Sequence, residues 1–368
     1  MNTDKQTSNG NNMTILDKLN KPEIITATYR IVTPMFIGDA QQKATGISPA
    51  SVKGALRFWW RALNWGRVAS ACHSETEALK QLHEEEAVLF GSSAYDSENK
   101  QREIEHKPLI GASRFTLKLD TSEVSSTAKA DWPKSGSDSG YLGWGLFKTD
   151  NISAREYLSE GKYFSIALYA NKDALIFNQT KQLKDALLAW GLFGGLGSRS
   201  RRAFGSVAIE KIDTQSYNCK TVAEYKKIVQ SLFQEYRLDN VAQPPFSALS
   251  RETEFSINNK LESEVRRAHS SLGASFKAYR GSKDSPVKGK VKVVFGLPYA
   301  DGKNKEEKEG RRASPLLFHI HPIGTQFTTC ALLLPATFHH DSNVSQVDYS
   351  KASNFLSFQN TVQDTVII

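Results

Sequence analysis

The chain has 368 residues, 39% hydrophobic and 10% aromatic, enough apolar side chain to offset the entropy of folding more than one core. Lysine and arginine number 47 against 39 aspartates and glutamates, a net charge of +8 that suits a polyanionic partner without specifying one. Three scattered cysteines, Cys72, Cys219 and Cys330, exclude a disulfide framework and a CxxC-type zinc cluster, and no apolar run reaches the roughly 20 residues that span a bilayer.

Residues 1–22 are rich in Asn, Thr, Ser and Lys and are expected to form a flexible polar tail. The tail lacks the apolar centre of a signal peptide, so a reducing, cytoplasmic location with no membrane partner is expected. IITATYRIV at 24–32 predicts a strand that Pro34 ends, and 36–49 (FIGDAQQKATGISP) a loop. Ser51 is a candidate N-cap for a helix over 51–68, and a second helix is predicted over 75–89. FTLKL at 115–119 alternates like a strand, and 120–162 is a Ser/Gly-rich insertion carrying Trp132, Tyr141 and Trp144, expected as a long functional loop. A strand over 163–170, a helix over 181–193 and a strand over 206–212 complete the order β-α-β-β-α-β. That order is ferredoxin-like and is also the frame of the RRM, which places an N-terminal domain at 23–214.

The remainder, 215–368, is predicted to be a second α+β domain. Helices are expected at 221–236 and 261–279, strands at 290–295, 316–320 and 326–334, a charged loop at 301–312 and a terminal helix within 347–366.

Two stretches carry chemistry. In the first, Lys53, Arg57 and Arg61 recur every four residues and line one face of the predicted helix, while Leu56, Trp59 and Leu63 gather on a neighbouring face. Such a row of cations requires an anion nearby, either acidic side chains or a phosphate backbone. The tryptophans here read as core rather than as base-stacking platforms. The second stretch is GGLGSRSRRAFGS at 194–206. Glycines let the backbone approach a ligand, successive amides can form an anion nest, and Arg199, Arg201 and Arg202 suit phosphate oxygens. Neither GxxxxGK[ST] nor GxGxxG is present, and the loop follows a helix and precedes a strand, so no nucleotide cofactor is expected.

RIVTPMFIGDA, SPASVKGALRFWWRA and GLFGGLGSRSRRAFGSV, with GLPY and RRASPLLFHIHPI at 296–323, together resemble the RAMP superfamily of CRISPR systems. Within it the pattern is similar to the first subunit of type III-B (Cmr) effectors, and the motifs span residues 29–323. The resemblance implies two ferredoxin-like domains with long insertions. It further implies an RNA-binding subunit of an RNA-guided interference complex, at the guide 3′-end side and helping to capture target RNA. The partners so implied are guide (crRNA) and target RNA and other RAMP subunits. Carried over residue by residue, the RNA contacts it implies are Lys53, Arg57 and Arg61, then Gly194, Gly195, Gly197, Arg199, Arg201, Arg202 and Gly205, and finally Arg311 and Arg312.

The residues give little sign of catalysis. His319 and His321 share one face of a predicted strand, but no third metal ligand is evident, and a core role is the simpler reading. His339-His340-Asp341 reads as a polar loop. Asp39 is a lone loop carboxylate, and Glu84, Glu85 and Glu86 diverge around a helix. The expectation is a non-enzymatic chain without metal or cofactor; the alternatives are a guide-processing endoribonuclease of the same superfamily and a scaffold that touches only protein.

Overall fold

A computed structural model of the chain describes residues 22–41, 43–93, 96–106, 110–124, 126–127, 131–148, 154–170, 175, 178–236, 243–297, 312–337, 347–362 and 365–367. The N-terminal tail, Arg311 and the His339-His340-Asp341 cluster lie outside these residues.

The first half runs β1 (Glu23–Ile31), α1 (Pro49–Ala71), α2 (Glu75–Phe90), α3 (Asp96–Ile104), β2 (Phe115–Asp120), β3 (Ser126–Thr127), α4 (Asp138–Leu142), β4 (Tyr157–Leu158), β5 (Tyr163–Ala170), α5 (Gln179–Phe193), β6 (Val207–Ile212) and β7 (Gln215–Ser216). The second runs α6 (Val222–Tyr236), β8 (Glu254–Asn258), α7 (Val265–Arg280), a 3-10 helix (Gly289–Phe295), β9 (Leu316–Ile323), β10 (Gln326–Leu333), α8 (Ser350–Val362) and β11 (Thr365–Ile367). One sheet has the order β2-β5-β1-β6-β7 and the other β11-β8-β10-β9. Every pairing within them is antiparallel. Taken along the chain, each sheet carries its four main strands in the spatial order fourth, first, third, second.

The layers follow from side-chain alternation. In β1, Ile25, Ala27, Tyr29 and Ile31 are buried on one face, and the Tyr29 hydroxyl donates to the Leu187 carbonyl of α5 at 2.8 Å. The largest core cluster joins β1, β5, α1 and α5 to α6 and to Phe255, Leu317 and Leu332 of the second sheet. A second cluster covers the other face of β9 and β10 with α7 and α8. β9 and β10 are thus buried on both faces, and the polar residues within them, His319, His321, Thr328 and Thr329, are buried with the rest. Burying so many large side chains in shared clusters couples the two sheets mechanically.

Three expectations need correction. The N-cap of α1 is Ser48, not Ser51: Ser48 Oγ accepts from Ser51 N–H at 3.1 Å, and Pro49 occupies the first turn, where its missing N–H costs nothing. Residues 290–295 form a 3-10 helix rather than a strand. The 120–162 insertion is not merely a loop, because Leu142, Leu146 and Tyr157 belong to the second core cluster and α4 packs on α7.

Candidate nucleic-acid interface

The end of β1 and the glycine-rich loop are tied backbone to backbone. Leu196 N–H donates to the Gly205 carbonyl at 2.9 Å, Ser198 N–H to Phe36 at 2.7 Å and Gly205 N–H to Pro34 at 2.9 Å. The fully buried Thr33 hydroxyl closes the arrangement, donating to the Ala203 carbonyl at 2.7 Å and accepting from Ser206 N–H at 2.9 Å. These bonds explain the glycines. A Cβ on Gly197 would lie 2.5 Å from the Phe36 carbonyl oxygen, and Cβ atoms on Gly194 and Gly195 would meet Trp190 and the Gly205 carbonyl. The four glycines, Gly205 included, thus serve close packing, against backbone at Gly195, Gly197 and Gly205 and against tryptophan at Gly194, rather than an open amide nest.

The arginines have separate fates. Arg199 donates from Nε and Nη2 to the Trp144 carbonyl of the insertion at 3.0 and 2.6 Å. The Arg202 guanidinium lies 4.8 Å from the Phe276 ring centroid and 5.3 Å from that of Phe318, and it donates to the Phe295 carbonyl at 3.3 Å. Burial, with Arg280 and Arg199 adding repulsion, pulls its pKa down to about 9. These partners make Arg202 a brace between the loop and the second sheet. Arg201 crosses the Phe58 ring at 5.4 Å and donates to the Ser314 carbonyl at 2.6 Å; burial, then the charge of Arg312, brings its pKa to about 10.

The basic face of α1 finds an internal anion. Arg57 Nε and Arg61 Nη1 lie 3.6 and 3.4 Å from the two oxygens of Glu86 on α2, and Arg57 also donates to the Gly91 carbonyl. Lys53 sits over the Phe115 ring at 5.6 Å, its pKa lowered by burial and by Arg57. One carboxylate facing two guanidiniums leaves the stripe a surplus of positive charge. The Arg61 side chain remains 43% exposed and so can still meet an outside anion. Trp59 and Trp60 are core, at 2% and 1% exposure.

Two clefts join these parts. One, of about 220 Å³, lies between Ala55, Phe58 and Trp59 of α1 and the loop from Gly194 to Arg201. The other, of about 420 Å³, gathers Arg61, Arg201 and Arg312 with Phe58, Phe246 and Ser247. Phe58 and Arg201 line both, so the two form one trough. The trough's walls supply cations and aromatic faces, the groups that hold phosphate and base, with the Glu86 carboxylate among them. Ser247 Oγ is buried and has no hydrogen-bond partner among the described residues, so Ser247 lines the cleft without presenting its hydroxyl.

Phe58, Phe246 and Ser247 carry no sequence signal of their own; only tertiary convergence on Arg61, Arg201 and Arg312 marks them. The histidine pair is core. His319 Nδ1 lies 3.0 Å from the Gly194 carbonyl oxygen and His319 Nε2 lies 3.2 Å from His321 Nδ1, both rings being fully buried. Asp39 closes its own loop by accepting from Gln41 and Lys43 N–H. Among the described residues no group of three or more His, Cys, Asp or Glu could hold a metal, and no helix is long and apolar enough to cross a membrane.

Comparison with known proteins now adds to the geometry. The chain matches the RAMP superfamily over residues 28–208. It is 28% identical to the CRISPR system Cmr subunit Cmr1-2 of Pyrococcus furiosus over 49% of this chain and 92% of that protein. It is 25% identical to Cmr1-1 of the same organism over 83% of this chain and 86% of that one. The crystal structure of Cmr1 from Pyrococcus furiosus in its apo form superimposes with a TM-score of 0.58 at 21% identity, covering 94% of this chain and 98% of that one. A chain of the type III-B Cmr-beta complex bound to cognate target RNA and AMPPnP superimposes with a TM-score of 0.56 at 12% identity, covering 93% of this chain and 100% of that chain.

Proposed function

The chain is a RAMP-superfamily protein similar to the first subunit of Cmr complexes, and from that premise we propose that it binds RNA without cutting it, as a subunit of a type III-B interference complex. Its two sheets read as ferredoxin-like units, since each β-α-β-β-α-β run gives the strand order of that fold. Its position is the guide 3′-end side of the assembly, where it helps capture target RNA, as the family resemblance implies. Cytoplasmic residence and contact with other RAMP subunits belong to the same reading.

The observation that carries the proposal is the trough. Arg61, Arg201 and Arg312 come from segments far apart in sequence and converge on one groove. Burial and then the charge of Arg312 lower the pKa of Arg201 to about 10, so it stays charged near neutral pH and an incoming phosphate would relieve the repulsion. Phe58 and Phe246 offer faces for bases. No sequence-reading pattern is needed, because pairing between guide and target supplies it. Arg57 and Arg61 engage phosphate in competition with Glu86.

The test is binding of labelled single-stranded RNA to the full chain across a salt series, with the RNA checked on a denaturing gel. Arg61→Ala, Arg201→Ala and Arg312→Ala are each expected to weaken binding several-fold. For every phosphate that an arginine no longer neutralises, the slope of log affinity against log salt should fall by about 0.7. Glu86→Gln is expected to strengthen binding at low salt, because it frees two guanidiniums from their internal anion. Lys227→Ala, at an exposed position of α6, serves as the control. Cleaved RNA would replace this reading with an endoribonuclease, and a folded chain that ignores RNA at low salt would replace it with a protein-only scaffold.

A further inference from the structure

Trp144 is 66% exposed, whereas Trp59, Trp60, Trp65 and Trp190 are buried at 3% or less. Burying an indole is among the larger apolar gains open to a folding chain, so a tryptophan left in water asks for an explanation. This one is not on a loose strand of chain. Its carbonyl receives two hydrogen bonds from Arg199, and its ring meets Phe147 edge to face, with centroids 5.8 Å apart and planes at 89°. Leu146 and Phe147, which follow it, are both buried. No ring lies parallel to the indole among the described residues, so a flat face is not already taken by a stacked neighbour.

The charge beside it has one sign. Arg199 sits in a left-handed backbone conformation, φ +61°, and no carboxylate pairs with it among the described residues. Its two bonds to the Trp144 carbonyl use two of its five N–H groups. Arg155 reaches the same turn, donating to Ser198 Oγ at 2.8 Å. Burial, then the neighbouring charge of Arg155, lowers the pKa of Arg199. A rigid open indole next to clustered guanidiniums is the pairing that single-stranded nucleic acid uses, base on ring and phosphate on cation. An apolar protein surface would satisfy the indole but would leave Arg199 without an anion.

We propose that Trp144 is a stacking platform for one nucleobase of single-stranded RNA, with Arg199 holding an adjacent phosphate. The platform is a second point of attachment, separate from the trough, and it rests on the RNA-binding reading above. It also gives the 120–162 insertion a function: the insertion presents the ring, and the glycine-rich loop fixes it through Arg199.

The experiment measures affinity for a labelled single-stranded RNA and tryptophan fluorescence of the full chain during the same titration, in several salt concentrations. Wild type is expected to lose fluorescence as the exposed indole is stacked. Trp144→Ala should bind roughly tenfold more weakly at every salt, with an unchanged salt slope, because stacking releases no counterions. Trp144→Phe should recover part of that affinity but not the quenching. Arg199→Gln should instead flatten the salt slope. Wild-type affinity and quenching in Trp144→Ala would overturn the platform while leaving the trough intact, and would reassign Trp144 to a protein neighbour. Failure of wild type to bind RNA at all would overturn both.

Discussion

Lowering the pH from 8 to 5 is expected to remove roughly 6 kcal/mol of stability, because three histidines are buried without charge. His269, His319 and His321 are exposed by 1% or less. Burial pulls the pKa of His269 and of His319 down to about 3 and that of His321 well below the ordinary value. Hydrogen bonds to backbone carbonyls orient the rings and oppose the shift in part, but burial outweighs them. The Arg202 carbonyl oxygen accepts from His269 Nε2 at 3.0 Å, and Ser139 Oγ lies 3.1 Å from His269 Nδ1. The Gly194 carbonyl fixes the proton of His319 on Nδ1, leaving Nε2 to accept from His321 Nδ1.

The sign is set by these directions. A histidine depressed well below its ordinary value in the folded state stays neutral there between pH 8 and 5, whereas the unfolded chain takes up its proton as pH falls through about 6.5. The stability is therefore complete above neutral pH and is lost on acidification, by up to about 4 kcal/mol per pH unit for three groups. Burial works to raise the Asp213 carboxyl, but Lys184 and Thr26 hold it low, so the stability it supplies is present throughout this window and is lost only below it. Glu210, raised by burial, opposes the trend in part. Urea unfolding followed by tryptophan fluorescence from pH 8 to pH 5 measures the slope directly. His269→Gln keeps a donor for the Arg202 carbonyl and should reduce the slope by a third. Stability that does not change over this range would mean that the three rings gain charge within the fold.

How much of this was visible in the chain depends on the kind of interaction. Elements with strong local patterns were legible: β1, α1, α5 and β6 each fall within two or three residues of their expected bounds. β8 was missed because its five residues hold only two apolar side chains, Phe255 and Ile257, too short an alternation to register, and α3 because its sequence, DSENKQREI, has only one apolar residue. Residues 290–295 read as a strand from their alternating lysines and valines, but strand pairing is a tertiary matter and none is available there. The basic stripe of α1 demanded an anion, and sequence could not choose between Glu86 and phosphate, since 25 residues separate Arg61 from Glu86. In the glycine-rich loop, composition marked the place but not the division of labour among Arg199, Arg201 and Arg202. Their roles are set by Trp144, Ser314 and Phe276, each more than fifty residues away.

Gly205→Ala is expected to cost more than about 4 kcal/mol, the range reserved for a change that the backbone cannot absorb. Gly205 has φ +61°, where an L side chain alone adds about 1–2 kcal/mol. The larger penalty is steric. The new Cβ would stand 2.1 Å from the Leu196 carbonyl oxygen and 3.1 Å from Met35 Cγ. Met35 can bend away, but the Leu196 carbonyl belongs to the same loop whose N–H, at Leu196, bonds back to Gly205 at 2.9 Å. Moving either strand of the loop breaks that bond and pulls Gly205 N–H from Pro34, and Thr33 then loses its geometry with Ala203 and Ser206. The same displacement shifts Arg199 and Arg201, so RNA affinity should fall even at temperatures where the variant stays folded. Gly54→Ala provides the contrast. Gly54 lies in α1 with nothing within 4 Å of its would-be Cβ, and alanine there should stabilise the chain by up to about 1 kcal/mol. Urea midpoints and RNA affinity measured on both variants separate the two effects: a glycine that shapes the loop changes both readings, whereas a glycine that merely interrupts a helix changes only the first. Equal midpoints for Gly205→Ala and wild type would show that the loop can open at Leu196 without penalty, and its glycines would then need a different explanation from close packing.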